Sequence, residues 1–227
     1  MWAISLQELK GLSKGIRSII ITAFITGISL LFAYLAQENG ELIGGISKES
    51  AYTSGLSVGV IFFGILFVFI LSHDAISKES QNRTMRFIVT KTSRKNIILA
   101  KAIGITLFWI AVVFLSVSAI SLVAKMFFIK TFLQCIVFLF YGISITLLVS
   151  TLCKKGSQSL FIGLLVSLLL PAVSFATIFW DNIFIQWVKY LTPYYYMDLG
   201  LGYLTIVLVL SLGLLVTSSI LFEKRDL

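Results

Sequence analysis

The sequence predicts an all-α integral membrane protein of six transmembrane helices, and three observations carry that prediction. Apolar residues make up 58% of the 227-residue chain and charged residues only 12%, against roughly half and roughly a quarter in soluble domains. Such an excess cannot be hidden in a water-soluble core, so lipid must solvate most of the chain. Six apolar runs, at about 17–36, 54–72, 100–124, 131–152, 158–178 and 201–222, each reach the about 20 residues that a helix needs to cross a bilayer. The basic residues, finally, gather at the ends of these runs and favour one side.

The runs are continuous rather than alternating at period two, which selects helices over a barrel. None holds Asp, Glu, Lys or Arg in its interior. Of the 18 Lys and Arg residues, fourteen fall on one side: Lys10, Lys14, Arg17, Lys78, Arg83, Arg86, Lys91, Arg94, Lys95, Lys101, Lys154, Lys155, Lys224 and Arg225. The other side holds only Lys48, Lys125, Lys130 and Lys189. The positive-inside rule then places both termini and the long basic loop in the cytoplasm, in a multi-pass plasma-membrane topology. The net charge of +8 follows span ends rather than one helix face, so it reads as an orientation signal and not as a nucleic-acid footprint.

Before the first span, over residues 1–16, Trp2, Leu6, Leu9, Leu12 and Ile16 recur at helical spacing while Lys10, Lys14 and Arg17 share another face. This predicts an amphipathic helix at the membrane interface; a plain basic anchor for the first span is the alternative. The first apolar run is long enough to span and has no small-residue cleavage pattern after it, so it does not read as a removed signal peptide. In the second span Gly55 and Gly59, four apart, offer a close-packing face for a neighbouring helix or a second copy. His73 and Asp74 follow as an interfacial polar pair.

The inner loop from 73 to 101 is too long and too charged for a hairpin. Met85, Ile88 and Val89 interrupt its charges, which suits a short docking helix for a soluble partner as well as a solvated orientation signal. Asn82-Arg83-Thr84 fits a glycosylation sequon, and the terminal Lys-Arg-Asp-Leu an ER-retention tail, but both face the cytoplasm and are discounted. Cys135 lies in an apolar run and Cys153 beside Lys154 and Lys155; both read as reduced packing residues. Pro171, inside the fifth run, should kink or end that helix. Beyond it, Trp180, Phe184 and Trp187 recur at helical spacing, with Tyr190 and Tyr194–Tyr196 around Pro193. Two readings fit 179–200: short re-entrant or interfacial helices between spans five and six, or a simple aromatic belt.

Missing chemistry narrows the function. There is no Gly-x-x-x-x-Gly-Lys-[Ser/Thr] and no His-Glu-x-x-His, and His73 is the single histidine, so neither phosphate cradling nor common metal hydrolysis is supported. No catalytic residue or metal ligand is assigned. The spans lack the ionisable residues that proton relays, ion-coupled transporters and voltage sensors carry, and no repeat symmetry speaks for a secondary transporter. No buried Asp pair, Glu–Glu pair or Ser–His arrangement suggests an intramembrane enzyme. The polar groups within the spans are hydroxyls, among them Thr22, Thr26, Ser29, Ser116, Ser118, Ser121, Ser144, Thr146, Ser167 and Ser211. These suit helix packing or, more pointedly, the lining of a substrate path.

The inner loop carries a family resemblance. Glu79, Thr84, the apolar Phe87–Val89, Ser93-Arg94, Ile97 and Lys101 stand where the membrane permeases of ABC-2-type exporters commonly have Glu, Gly-Thr, an apolar run, Ser-Arg, an isoleucine and a lysine opening the next span. The usual glycine before threonine is Arg83 here, and the usual proline before Ser-Arg is Thr92. The Phe222-Glu223-Lys224-Arg225-Asp226 tail resembles the family's Phe-x-x-Arg-Asp ending. Six spans, an N-terminal interfacial helix and an insertion before the last span are also similar, so the resemblance extends over the whole chain in architecture.

What the resemblance implies is a division of labour. The chain would be one of two permease subunits, its partner a second copy or a paralogue. Two ATPase subunits would bind ATP and Mg below it, the chain itself holding no cofactor and being no enzyme. Contact would run through a coupling helix between spans two and three, with Glu79, Arg83, Thr84, Arg86, Ser93 and Arg94 as coupling residues. The interfacial helix, with Trp2, Leu6, Leu9, Lys10 and Lys14, would add to that contact. Small permeases of this composition resemble exporters of amphipathic or antimicrobial peptides, including bacteriocin-immunity and phenol-soluble-modulin systems, or of hydrophobic compounds. The alternative is a secondary transporter or channel with no ATPase.

Overall fold

The structure is a computed structural model, and it describes residues 2–38, 48–81, 92–179, 187–197 and 199–224. The described residues form helices and turns with no strand. In chain order these are α1 (Trp2–Lys14), α2 (Ile16–Glu38), α3 (Lys48–Ser72), α4 (Ser77–Gln81), α5 (Arg94–Ala124), α6 (Ile129–Leu152), α7 (Gly156–Phe179), α8 (Tyr194–Met197), a 3-10 turn (Leu201–Tyr203) and α9 (Leu204–Glu223). Six of these segments are long and apolar enough to cross a membrane, which makes the chain a multi-pass membrane protein by length and composition. They coincide with the six runs read from the sequence, within a few residues except at the starts of two spans. The second helix begins at Lys48 rather than near 54, and the third at Arg94 rather than near 100.

Helical structure continues ahead of the apolar run at both of those starts, and at α5 a capping residue, not an apolar one, sets the helix end. That residue is Ser93: its extended backbone (φ −65°, ψ 149°) and its Oγ, which accepts from Asn96 N at 3.4 Å, start α5 ahead of Lys95 and Asn96. At the far end of α5, Lys125 takes a left-handed conformation (φ 55°) and turns the chain into α6. Gly200 (φ 112°) makes the corresponding turn before the last span, in a region that favours glycine.

The helix α6 is the axis of the bundle. It is the most buried of the spans and packs against α3, α5, α7 and α9, while α2 lies against α3 and α5. Phe138, Ile143 and Leu147 of α6 meet Leu56, Val60 and Ile65 of α3 and Val112, Val113 and Val117 of α5 in one buried core. Its hydroxyls turn back onto their own helices: Ser29 on Ile25 O, Ser116 on Val112 O, Ser144 on Phe140 O, Thr146 on Gly142 O and Ser211 on Val207 O. Back-bonded in this way they satisfy themselves without water, so these five serve packing. The Thr26–Ser116 pair, 3.1 Å apart, also joins α2 to α5.

Two expectations are narrowed. Of the kink or end expected at Pro171, the end is not found, because the helix α7 runs through it to Phe179. A missing backbone N–H is tolerated in membrane helices, where neighbouring groups take over the freed carbonyl. The contact face of α1 only partly follows its apolar stripe. Leu9 and Leu12 of the stripe pack on the core together with Ile4, and Ser5 is buried, whereas Trp2 (64%) is exposed. The reason is that α1 packs along α5 at Gly104, so protein rather than lipid alone selects the face it buries. Between spans five and six, residues 187–189 are helical and α8 follows Pro193. Trp180 and Phe184 lie outside the described residues.

Candidate functional site

One end of the bundle, the basic end, gathers α1, the α3–α4 turn, the start of α5, the α6–α7 turn and the end of α9 and carries most of the described basic residues. At its centre lies Lys101, two turns into α5 and only 2% exposed. Its Nζ stands 3.1 Å from Glu8 Oε2 of α1 and 2.8 Å from Glu79 Oε1 of α4. Three elements distant in sequence are thereby tied to one ammonium. The carboxylates are partly screened, with side chains 21% and 28% exposed, while the amine is fully sequestered. An ammonium removed from water is costly unless paired and hydrogen-bonded, so Lys101 holds α1 and α4 in place by needing both.

The glycine at 104 makes this approach possible. A Cβ there would lie 2.6 Å from Ser5 O and 2.9 Å from Glu8 Cβ, so only glycine lets α1 settle close enough for Glu8 to reach Lys101.

The short helix α4 is held at its other end as well. Ser150 Oγ of α6 accepts from Ile76 N and Ser77 N, each at 3.1 Å, satisfying amides that the break after α3 leaves open. Ser159 Oγ of α7 donates to His73 O at 2.6 Å, and Ser77 Oγ donates to the same oxygen at 3.3 Å. Gln81 Oε1 accepts from Gly156 N at 3.4 Å. His73 is buried with its Nδ1 3.1 Å from Phe69 O, while Asp74 pairs with Lys78 at the surface, 3.6 Å away. The pair expected at the interface is therefore split between interior and surface.

Arg94 makes a second clamp. Its guanidinium donates to Phe222 O at 3.0 Å and Glu223 O at 2.8 Å, closing the C-terminal carbonyls of α9. Its Cζ stands 6.0 Å from the centre of the Phe222 ring, and Lys95 pairs with Glu223 at 3.6 Å. The start of α5 and the end of α9 are therefore tied to each other by side-chain contacts.

Of the residues singled out from the sequence, Glu79, Ser93 and Arg94 fall at the basic end and make contacts there, whereas Arg83, Thr84 and Arg86 lie outside the described residues. In α1, Leu6 and Leu9 are half-buried and Lys10 and Lys14 exposed. Gly55 packs within the chain: a Cβ on it would come 2.6 Å from Phe32 Cβ and 2.9 Å from Ile28 O of α2. Gly59 faces open space. Sequence reasoning missed Lys101 and Glu8 as a pair. The available signal was an amine set inside the start of an apolar span, which requires a carboxylate nearby, with few acids on that side to supply it. Among the described residues no group of His, Cys, Asp and Glu is placed to hold a metal ion. No protein-family model matches the chain, and no curated protein matches it.

Proposed function

We propose that this chain is the membrane-spanning permease subunit of an ATP-driven exporter of the bacterial plasma membrane, with the basic end cytoplasmic. The observation that supports it most is the Lys101 node, which joins the N-terminal helix and the inner-loop helix to a single span. Those two helices are the elements that, by the ABC-2 resemblance, contact an ATPase. A push on α4 or α1 reaches α5 through a buried ion pair, and α5 passes it to α9 through Arg94. Glu79 and Arg94 in this reading transmit force rather than touch nucleotide. ATP and Mg belong to the partner subunits, and amphipathic peptides or hydrophobic compounds are the proposed cargo.

The test is to co-express the chain with an ABC ATPase encoded by a neighbouring reading frame and to measure vanadate-sensitive hydrolysis in nanodiscs. The expected result is co-purification, with stimulation lost in the Glu79→Lys, Arg94→Glu double variant although that variant still inserts. A double variant as active as the native chain, or an ATPase that does not associate, overturns the reading.

A further inference from the structure

Two cavities lie at the end of the bundle opposite the basic end, of about 370 and 350 Å³, and they adjoin at Ile61 and Met197. Each falls within the size range of small-molecule sites. The first, between α3, α7 and the segment leading to α9, is walled by Phe175, Tyr194, Tyr195 and Leu199. The second, between the first turns of α3 and α6, is walled by Thr53, Ser54, Ser57, Thr131 and Gln134. The first arm is mainly apolar and aromatic, with Lys189 and the hydroxyls of Thr177 and Thr192 also on its wall; the other is rich in hydroxyl and amide groups.

The walls are fastened. Gln134 Nε2 donates to Met197 O at 2.9 Å, Tyr141 Oη to Leu191 O at 2.8 Å, and Ser174 Oγ to Thr192 Oγ1 at 3.2 Å. The segment 190–197 is thereby stapled to α6 and α7 by three hydrogen bonds. Tyr194 Oη, on the apolar arm, is buried without a partner among the described residues.

The bonds already made decide what a ligand must bring. Thr53 Oγ1 donates to Glu49 O at 2.8 Å and Ser54 Oγ to Ala51 O at 2.8 Å. Each hydroxyl has only one proton, so both present lone pairs to the cavity. Gln134 spends an N–H on Met197 O and keeps its carbonyl oxygen as an acceptor. Glu49 and Lys130 both line this arm and are of opposite sign, so its formal charges sum to zero. The polar arm therefore has no net formal charge and offers several acceptors beside the Ser57 and Thr131 hydroxyls, which suits hydroxyl groups that both donate and accept.

We propose that the two cavities together bind one small single-chain amphiphile, its hydrocarbon part against Phe175 and Tyr194 and a hydroxyl-bearing, uncharged head among Thr53, Ser54 and Gln134. A helical peptide does not fit: one turn of helix displaces on the order of 400 Å³ by its about 10 Å width and 5.4 Å pitch, so neither arm holds more than about one turn. The site is independent of any ATPase and stands or falls without one.

A photoactivatable, diazirine-bearing monolauroylglycerol, added to the full chain in nanodiscs, tests it. The expected result is saturable labelling of peptides holding Phe175 and Tyr194, displaced by unlabelled monolauroylglycerol. Methyl laurate, which lacks donors, should compete about tenfold less well, the loss expected for one or two hydrogen bonds. Ser57→Phe, which fills the polar arm, should reduce labelling; Leu168→Phe, on the exposed face of α7, should not. Labelling that rises without saturation and spreads along that exposed face overturns the proposal, and so does equal competition by methyl laurate. The competition arms need only the native chain, so a misfolded variant leaves the test intact.

Discussion

At the scale of single residues, the basic end is organised by charges that have left water. Lys101 is the plainest case, because an ammonium 2% exposed with two carboxylates on it is costly to disturb from either side. Replacing it with methionine keeps the stem but strands Glu8 and Glu79 beside each other. Breaking a buried pair by removing one partner costs about 3–5 kcal/mol, whereas neutralising every member together is often close to neutral. Lys101→Met should therefore lower the thermal stability of the chain in nanodiscs by an amount of that order. The triple variant Glu8→Gln, Glu79→Gln, Lys101→Met should recover most of it. A single variant as stable as the native chain would show that the node holds nothing. From the sequence, Lys101 is visible as a base at a span end and as the lysine of the family-like loop pattern; which acids meet it depends on how α1 crosses α5, and no local pattern encodes that crossing.

At the scale of elements, the crossings are set by glycines. Gly104 against Ser5 and Gly55 against Phe32 and Ile28 are places where a Cβ has no room, while Gly59, the other half of the spaced pair in α3, meets nothing within 4 Å. Of the two spaced glycines, Gly55 is taken up by packing within the chain, while Gly59 makes no close contact among the described residues of this chain. Gly104→Val should push α1 off α5, an overpacking cost of about 1–3 kcal/mol, and release Glu8 from Lys101. Limited proteolysis should then cut the α1–α2 junction near Gly15 faster, with Gly59→Val unchanged as the control. Equal rates for the two variants would mean that α1 does not rest on Gly104. Helix existence was legible throughout, because span length is written in the run of apolar residues. The partner face of α1 was not, since the periodicity of Trp2, Leu6 and Leu9 reports an apolar stripe without saying whether lipid or protein covers it.

At the scale of the whole molecule, the two ends differ in kind. The basic end is closed by ion pairs and side-chain caps from five elements, and the opposite end is opened by two adjoining cavities of mixed polarity. The charge asymmetry in the sequence already distinguishes the ends, but the cavities could not be foreseen, because they arise where α3, α6, α7 and the 190–197 segment happen to meet. Orientation is the property on which every functional reading rests. With fourteen of 18 Lys and Arg on one side, the positive-inside rule gives the expectation, to be tested, of a cytoplasmic basic end. Both native cysteines are buried, so engineered thiols can report against a quiet background. Lys14→Cys and Lys224→Cys, at exposed sites on the basic end, should react with an impermeant maleimide only after the cells are opened. Trp187→Cys, 72% exposed at the other end, should react in intact cells. The reverse pattern would invert the orientation, and with it the face to which any ATPase could bind. Labelling of Lys14→Cys and Lys224→Cys from opposite sides would be incompatible with an even number of spans.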